Sequence, residues 1–285
     1  MKAKLRLYAK ALLLVQLFLF GFLIAGGVFP AIGLMLPPVR AKHLRDAIKM
    51  RWLRTFSAIL NVRVTKEGKV AARPALIASN HVSWLDIIVL GQFVPGCFAA
   101  KNDIASWPVI GYLSRQAGTL FIRRGDKKQI LQTTEMMAWQ LRQNGNILVF
   151  PEGTTTDGSA VLDFHPSLFQ PALLTKVPIQ ATAIRYLNGA KETAPFIGDD
   201  EFISHLFKML MMDQIEVRID FLPVIETEAQ TRNAVSSEAR KLIVEALTDG
   251  NLVSAASSES ENQTSKRTSK NSVKANLPAD RSARF

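Results

Sequence analysis

"PALIASNHVSWLDIIVL", residues 74–90, begins as an apolar run, turns polar at Ser79, Asn80 and His81, and becomes apolar again after Trp84. The run over 75–79 has the length of a strand and the segment over 84–92 has helical spacing, so the stretch reads as strand, turn, helix. His81 then falls on the turn at the strand's carboxyl end, with Asp86 just inside the helix. In a regular helix a five-residue offset turns two side chains apart, so this pair meets only if His81 precedes the helix. A histidine beside a carboxylate is the arrangement of a general base and its orienting group. Ser83 and Asp86 also have capping-box spacing, with aspartate for the usual glutamate. Taken alone, the stretch leaves the helix cap and the catalytic pair as equal readings.

The same alternation continues along the chain. Strands are expected at 75–79, 96–100, 118–122, 146–150, 178–184 and 215–221, and helices at 84–92, 106–114, 127–143, 166–174, 202–212 and 230–247. This predicts an α/β fold: a mostly parallel mixed sheet flanked by helices, with an N-terminal membrane-associated helical segment. "NVRVTKEGKV", residues 61–70, reads as a hairpin turning at Gly68. The expected division is an anchoring apolar helix and amphipathic helix over 1–62, a catalytic domain over 63–250, and a disordered basic tail over 251–285 rich in Ser, Asn and Lys.

The formal charge of +11 across 285 residues calls for an anionic partner. Residues 11–39 contain no charged side chain, a run long enough to cross a bilayer as a helix. It is too long for a signal peptide and has no small-residue cleavage site. Gly26, Gly27 and Pro30 interrupt it, so a segment that dips into one leaflet stands beside a full span. Lys2, Lys4, Arg6 and Lys10 precede the run, and Arg40, Lys42, Arg45, Lys49, Arg51 and Arg54 follow it. Basic flanks on both sides suit a membrane protein whose catalytic domain sits on the cytoplasmic face, against anionic lipid. Leu44, Ile48, Trp52, Phe56 and Leu60 recur at helical spacing, which gives an amphipathic helix that either lies on the membrane or packs on the core. The basic residues are not interleaved with base-stacking aromatics, so no nucleic acid partner is expected. Cys97, the single cysteine, rules out an internal disulfide and any site built from several thiolates, and it sits in a core-like strand.

Two further stretches carry polar chemistry. "FPEGTTTDG", residues 150–158, follows the apolar strand "NILVF" and puts Glu152 and Thr154 at the mouth of the sheet, where backbone N–H groups face an anion. "GTLFIRRGDKK", residues 118–128, carries Arg123 and Arg124 to a strand end, and alternation lets only one of them face a shared site. Singly, the first reads equally as an ordinary loop and the second as surface charge. There is no Gly-x-Ser-x-Gly nucleophile elbow and no Walker loop, which speaks against a serine hydrolase and a P-loop ATPase.

In this order, "NHVSWLD", "GTLFIRR", "FPEGT" and "VPIQATAIRY" resemble the four sequence blocks of the lysophospholipid acyltransferase family, which includes 1-acylglycerol-3-phosphate acyltransferase. "AAKNDIASWPVIGYLSRQAG" is similar too, with Lys101 at the family's lysine, and the likeness covers roughly residues 70–190. The resemblance implies transfer of a fatty acyl group from acyl-CoA or acyl carrier protein to the free hydroxyl of a lysophospholipid. The foremost acceptor it implies is 1-acyl-sn-glycerol-3-phosphate, giving phosphatidic acid. Lyso-ornithine lipid is the alternative acceptor; a lipid hydrolase and a non-catalytic lipid-binding protein are the readings from other classes.

The resemblance makes His81 the general base and Asp86 its partner, with backbone N–H groups around Gly153 and Thr154 facing the developing oxyanion. It gives Arg124 the acceptor phosphate, and Glu152 the orientation of the acceptor or of an arginine. Lys101, Phe121 and Thr155 join the substrate-binding set. The family's third block usually ends in arginine where this chain has Thr155, and "EGTTTDG" with "ASWPVIGYL" also resembles the branch that acylates lyso-ornithine lipid. No metal and no redox cofactor are implied; the partners are membrane lipids, the lysolipid and the acyl donor. His165 and His205 read as structural or surface residues.

Overall fold

A computed structural model of the chain describes residues 2–122 and 127–248. Arg123, Arg124 and the tail expected over 251–285 lie outside the described residues. The N-terminal segment forms α1 (Lys2–Leu23), a π-helical turn (Ile24–Val28) at the Gly26–Gly27 pair, and α2 (Phe29–Met35). After Leu36 and Pro37 the chain reverses into α3 (Pro38–Leu60). Three bonds fix an antiparallel pairing: Lys10 Nζ donates to the Leu60 carbonyl at 3.1 Å, Trp52 Nε1 to Leu17 at 3.0 Å, and Arg45 Nη2 to Phe29 at 2.6 Å. Lys10 thereby satisfies a carbonyl at the end of α3 that has no partner within the helix. Of the two places expected for the amphipathic helix, α3 packs on protein: Phe56 and Leu60 are buried in the main core.

The following elements are β1 (Val62–Glu67), β2 (Leu76–Ser79), α4 (Leu85–Gly91), β3 (Gly96–Lys101), α5 (Pro108–Gln116), β4 (Leu120–Ile122), α6 (Lys127–Arg142) and β5 (Asn146–Val149). Then come α7 (Gln170–Thr175), β6 (Ile179–Leu187), α8 (Ala190–Thr193), α9 (Phe202–Met211), β7 (Ile215–Ile225) and α10 over 232–248. The seven strands lie in the order β1-β7-β6-β2-β5-β3-β4. Every neighbouring pair is parallel except β6 with β7, which makes the sheet mixed and mostly parallel. The central strands are covered on both faces, which is why "LIA" in β2 and "ILV" in β5 read as continuous apolar runs rather than alternating ones.

The hairpin expected at Gly68 is not formed. β1 pairs in parallel with β7 from Val62↔Ile215 to Glu67↔Asp220, and no strand returns beside it. Gly68 takes φ +72°, and the space a Cβ would fill is occupied by the Phe221 carbonyl. The residue marks a close approach of β1's end to β7 rather than a tight turn. The expected helix over 166–174 begins as a 3-10 turn (Pro166–Phe169) before α7, because Pro171 is tolerated only in a first helical turn.

One helical stretch, Lys4–Met35, is long and apolar enough to cross a membrane by length and composition. Leu12, Leu13, Leu19, Phe20 and Leu23 of α1 are exposed, as are Leu34 and Met35 near the reversal. Ile203, Phe207 and Met211 form an exposed apolar edge on α9.

Candidate active site

β2 delivers the chain to the site and Asn80 fixes its exit. The Asn80 amide donates to the Ile184 carbonyl at 3.0 Å and accepts the Ile184 N–H at 2.8 Å, so the loop is tied to β6 like an extra rung of the sheet. His81 follows on the loop, before α4 begins. Its Nδ1 lies 2.8 Å from Asp86 Oδ2. The same oxygen accepts the Val82 and Ser83 N–H groups at 2.8 and 2.9 Å, and Oδ1 accepts the Tyr186 hydroxyl at 2.6 Å. Asp86 is fully buried, and four donors satisfy its carboxylate, as a buried charge requires. A carboxylate accepts only, so Nδ1 carries the proton and Nε2 keeps its lone pair.

Cap and catalytic pair turn out to be one structure. The Ser83 N–H bond to Asp86 is the reach-back half of a capping box, while the Ser83 hydroxyl supplies no reciprocal bond to the helix. The carboxylate that starts α4 is the one that holds the imidazole.

The loop after β5 clamps His81 by its main chain. Phe150 and Gly153 close a turn with Pro151 at its second position, the Gly153 N–H donating to the Phe150 carbonyl at 3.0 Å. Glu152 Oε1 accepts the His81 N–H at 2.7 Å and Oε2 the Leu162 N–H at 2.8 Å. Thr156 N–H and hydroxyl both donate to the His81 carbonyl, at 2.9 and 3.3 Å. Burial pushes the Glu152 carboxyl above the ordinary carboxylate range, partly opposed by those two backbone bonds. The Phe150 ring stacks on the imidazole with centroids 3.9 Å apart and planes 11° apart.

His81 lines a cleft of about 810 Å³ with Trp84, Phe98, Phe150 and Thr154. The cleft continues beneath the N-terminal hairpin past Phe18, Ile24 and Trp52, where its walls are apolar. Gly91 keeps this region open, since a Cβ there would meet Leu53 Cδ1 at 2.6 Å.

Among the expected site residues, His81, Lys101, Gly153, Thr154 and Thr155 line the cleft, and Asp86 and Glu152 stand directly behind His81. Because the Gly153 N–H is committed to Phe150, Thr154 N–H is the donor of that pair left for an oxyanion. Glu152 does not reach out toward a substrate; both of its oxygens take main-chain N–H groups. Phe121 is not in the cleft: Ile122 lines it, and the alternation of β4 turns Phe121 away, beneath the Arg115 guanidinium at 5.9 Å. Arg124 lies outside the described residues. The Thr155 hydroxyl donates to the Phe196 carbonyl, and the Phe196 N–H donates to Val82 at 2.9 Å, so this position stitches two loops together.

His165 is exposed at the cleft rim. His205 is structural: its Nδ1 accepts the Trp84 indole N–H at 3.0 Å, Nε2 lies 3.0 Å from the Pro195 carbonyl, and burial lowers its pKa. Cys97 is buried, its thiol pushed up to about 11 by desolvation. Tyr186 and Thr156, which hold the pair from either side, gave no sequence signal of their own; Tyr186 lies 100 residues from Asp86 along the chain.

The sequence matches the family described as Acyltransferase over residues 61–185. It is 36% identical over 243 residues to a lyso-ornithine lipid O-acyltransferase of Pseudomonas aeruginosa, covering 85% of this chain and 93% of that protein. It is 33% identical over 186 residues to a 1-acyl-sn-glycerol-3-phosphate acyltransferase of Neisseria meningitidis, covering 62% of this chain and 73% of that one. The crystal structure of the 1-acyl-sn-glycerophosphate acyltransferase PlsC of Thermotoga maritima superposes with a TM-score of 0.65 at 18% identity, covering 86% of this chain and 98% of the other, which establishes likeness of fold.

Proposed function

Since the chain belongs to the lysophospholipid acyltransferase family, we propose that it moves a fatty acyl group from acyl-CoA or acyl carrier protein to the free hydroxyl of a lyso-ornithine lipid at the membrane surface. The observation that carries the acyl-transfer chemistry is His81, held through Nδ1 by Asp86 with Nε2 left to act on a group in the cleft. The acceptor hydroxyl gives its proton to Nε2 as its oxygen attacks the thioester carbonyl. Asp86 stabilises the resulting imidazolium. Thr154 N–H faces the oxyanion of the tetrahedral intermediate. Collapse breaks the carbon–sulfur bond, and the leaving thiolate takes the proton from the imidazolium. The apolar depth of the cleft beneath α1 and α3 suits an acyl chain.

The acceptor rests on Thr155. A phosphate-bearing acceptor favours a bidentate guanidinium, and this position has instead a hydroxyl already bonded to Phe196. An amino-acid head group without phosphate makes no such demand. The relative from Pseudomonas supports the same reading. The second reading, 1-acyl-sn-glycerol-3-phosphate, is favoured by Lys101 in the cleft and by the relative from Neisseria.

For the membrane, the N-terminal hairpin dips into the cytoplasmic leaflet and returns. Its second arm, α3, carries Arg40, Lys42, Arg45 and Lys49 alongside the apolar first arm, an arrangement that suits the headgroup region better than a full span. The test is an acceptor panel with labelled acyl-CoA and labelled acyl carrier protein. Preferential use of lyso-ornithine lipid is expected, and a preference for 1-acyl-sn-glycerol-3-phosphate would move the assignment to the second reading.

A further inference from the structure

We propose that Tyr186 is a positioning residue that sets the basicity of His81 through Asp86, its phenol O–H donating to Asp86 Oδ1 at 2.6 Å on the carboxylate oxygen that the imidazole does not use. The role in turnover rests on the acyl-transfer reading above; the hydrogen bond and its effect on the imidazole do not.

The two carboxylate oxygens are unequally served. Oδ2 receives His81 Nδ1 and the Val82 and Ser83 N–H groups, whereas Oδ1 receives Tyr186 among the described residues. Asp86 is fully buried and Tyr186 is 4% exposed, so no solvent shares the task. A hydrogen bond from a neutral donor to an ionised acceptor in such a setting is short and strong.

Tyr186 is placed independently of the site it serves. It lies two residues beyond Ile184, whose backbone is locked to Asn80, and opposite Val217 in the β6–β7 ladder. The sheet therefore holds the phenol against Asp86 whether or not substrate is present. Burial and the Asp86 charge both push the phenol's pKa well above its ordinary value, so it remains a donor through the working pH range.

The bond draws carboxylate charge toward Oδ1 and away from the imidazole. Without it, more charge stays on Oδ2, the imidazolium is held more firmly, and His81 keeps its proton to higher pH. The other groups facing Asp86 are His81 and the Ser83 hydroxyl from its own loop and helix start, and the Glu152 carboxylate from the loop after β5. The substitution Tyr186→Phe changes none of them.

The test is an NMR titration of the full-length protein in detergent micelles, with labelled histidine and the His81 signal assigned against His81→Ala. Tyr186→Phe should raise the His81 midpoint by about half a pH unit or more. The acidic limb of kcat/KM should move up with it, while KM for acyl donor and acceptor stays within about twofold of wild type. Replacing the three tyrosines by 3-fluorotyrosine makes a stronger donor of the same size and should lower the midpoint, which keeps the test open if the phenylalanine variant does not fold. An unchanged midpoint in the folded phenylalanine variant or in the fluorinated protein overturns the proposal. Because the midpoint is read without turnover, that result leaves the acyl-transfer reading standing, and a protein without acyl transfer still reports on the phenol.

Discussion

Glu152 acts on His81 through the main chain: its Oε1 accepts the His81 N–H at 2.7 Å while its Oε2 accepts the Leu162 N–H at 2.8 Å. The third sequence block is therefore a clamp on the first. It needs two acceptors, which a carboxylate supplies and an amide does not, because a glutamine in the same place points an NH₂ at a backbone N–H.

Glu152→Gln should accordingly lower kcat by more than tenfold, since it disturbs the turn that carries the base. Its pH signature is separable. Burial raises the folded-state pKa of Glu152, so the folded protein binds more protons than the unfolded chain between the two pKa values. The contribution is fully present below the unfolded value of about 4.3 and is lost as pH rises through the folded value. Thermal unfolding followed from about pH 4 to about pH 7 should show the advantage of wild type over Glu152→Gln shrinking with rising pH.

Asp86→Asn removes a carboxylate that takes four donors. One half of the amide must then face a donor, and the imidazole loses the partner that fixes its tautomer. A fall in kcat of about 10³ to 10⁴ is expected from the tautomer alone, with a lower melting temperature from the mismatched donor. Initial rates and a melting curve on one preparation check both.

Much of this was legible in the sequence for physical reasons that differ by element. β2 and β5 could be read because strands buried on both faces are uninterrupted apolar runs, and His81 could be placed because polar residues break such a run where the sheet ends. The hairpin at Gly68 was misread because a glycine after an alternating strand gives the same local pattern whether the chain turns or another backbone passes close by. That difference is set by β7, roughly 150 residues further on. Tyr186 and Thr156 were unreadable for the same reason: each is defined by a partner distant in sequence. Glu152 was recognised as a site residue but its target was not, since a side chain that binds main chain leaves no matching residue type to look for. Phe121 was misplaced because residues adjacent on a strand face opposite sides.

Thr155→Arg tests what selects the acceptor. The new guanidinium should raise the rate with a phosphate-bearing lysolipid relative to lyso-ornithine lipid by about tenfold or more. Competition between the two acceptors in one mixed micelle gives the ratio directly.

Gly68→Ala tests the corrected topology. A Cβ there meets the Phe221 carbonyl, and φ is +72°, so the variant should lose about 2 to 4 kcal/mol in denaturant unfolding. A hairpin turn at this position would tolerate alanine better, with a loss nearer to about 1 kcal/mol.

The central claim is that His81 takes the proton from a lysolipid hydroxyl during acyl transfer. Purified protein in mixed micelles, given radiolabelled acyl thioester and lysolipid, should form labelled diacylated lipid. His81→Ala, with a melting curve matching wild type, should form product at less than about one thousandth of that rate. Product formation by His81→Ala at a rate close to wild type would contradict the account.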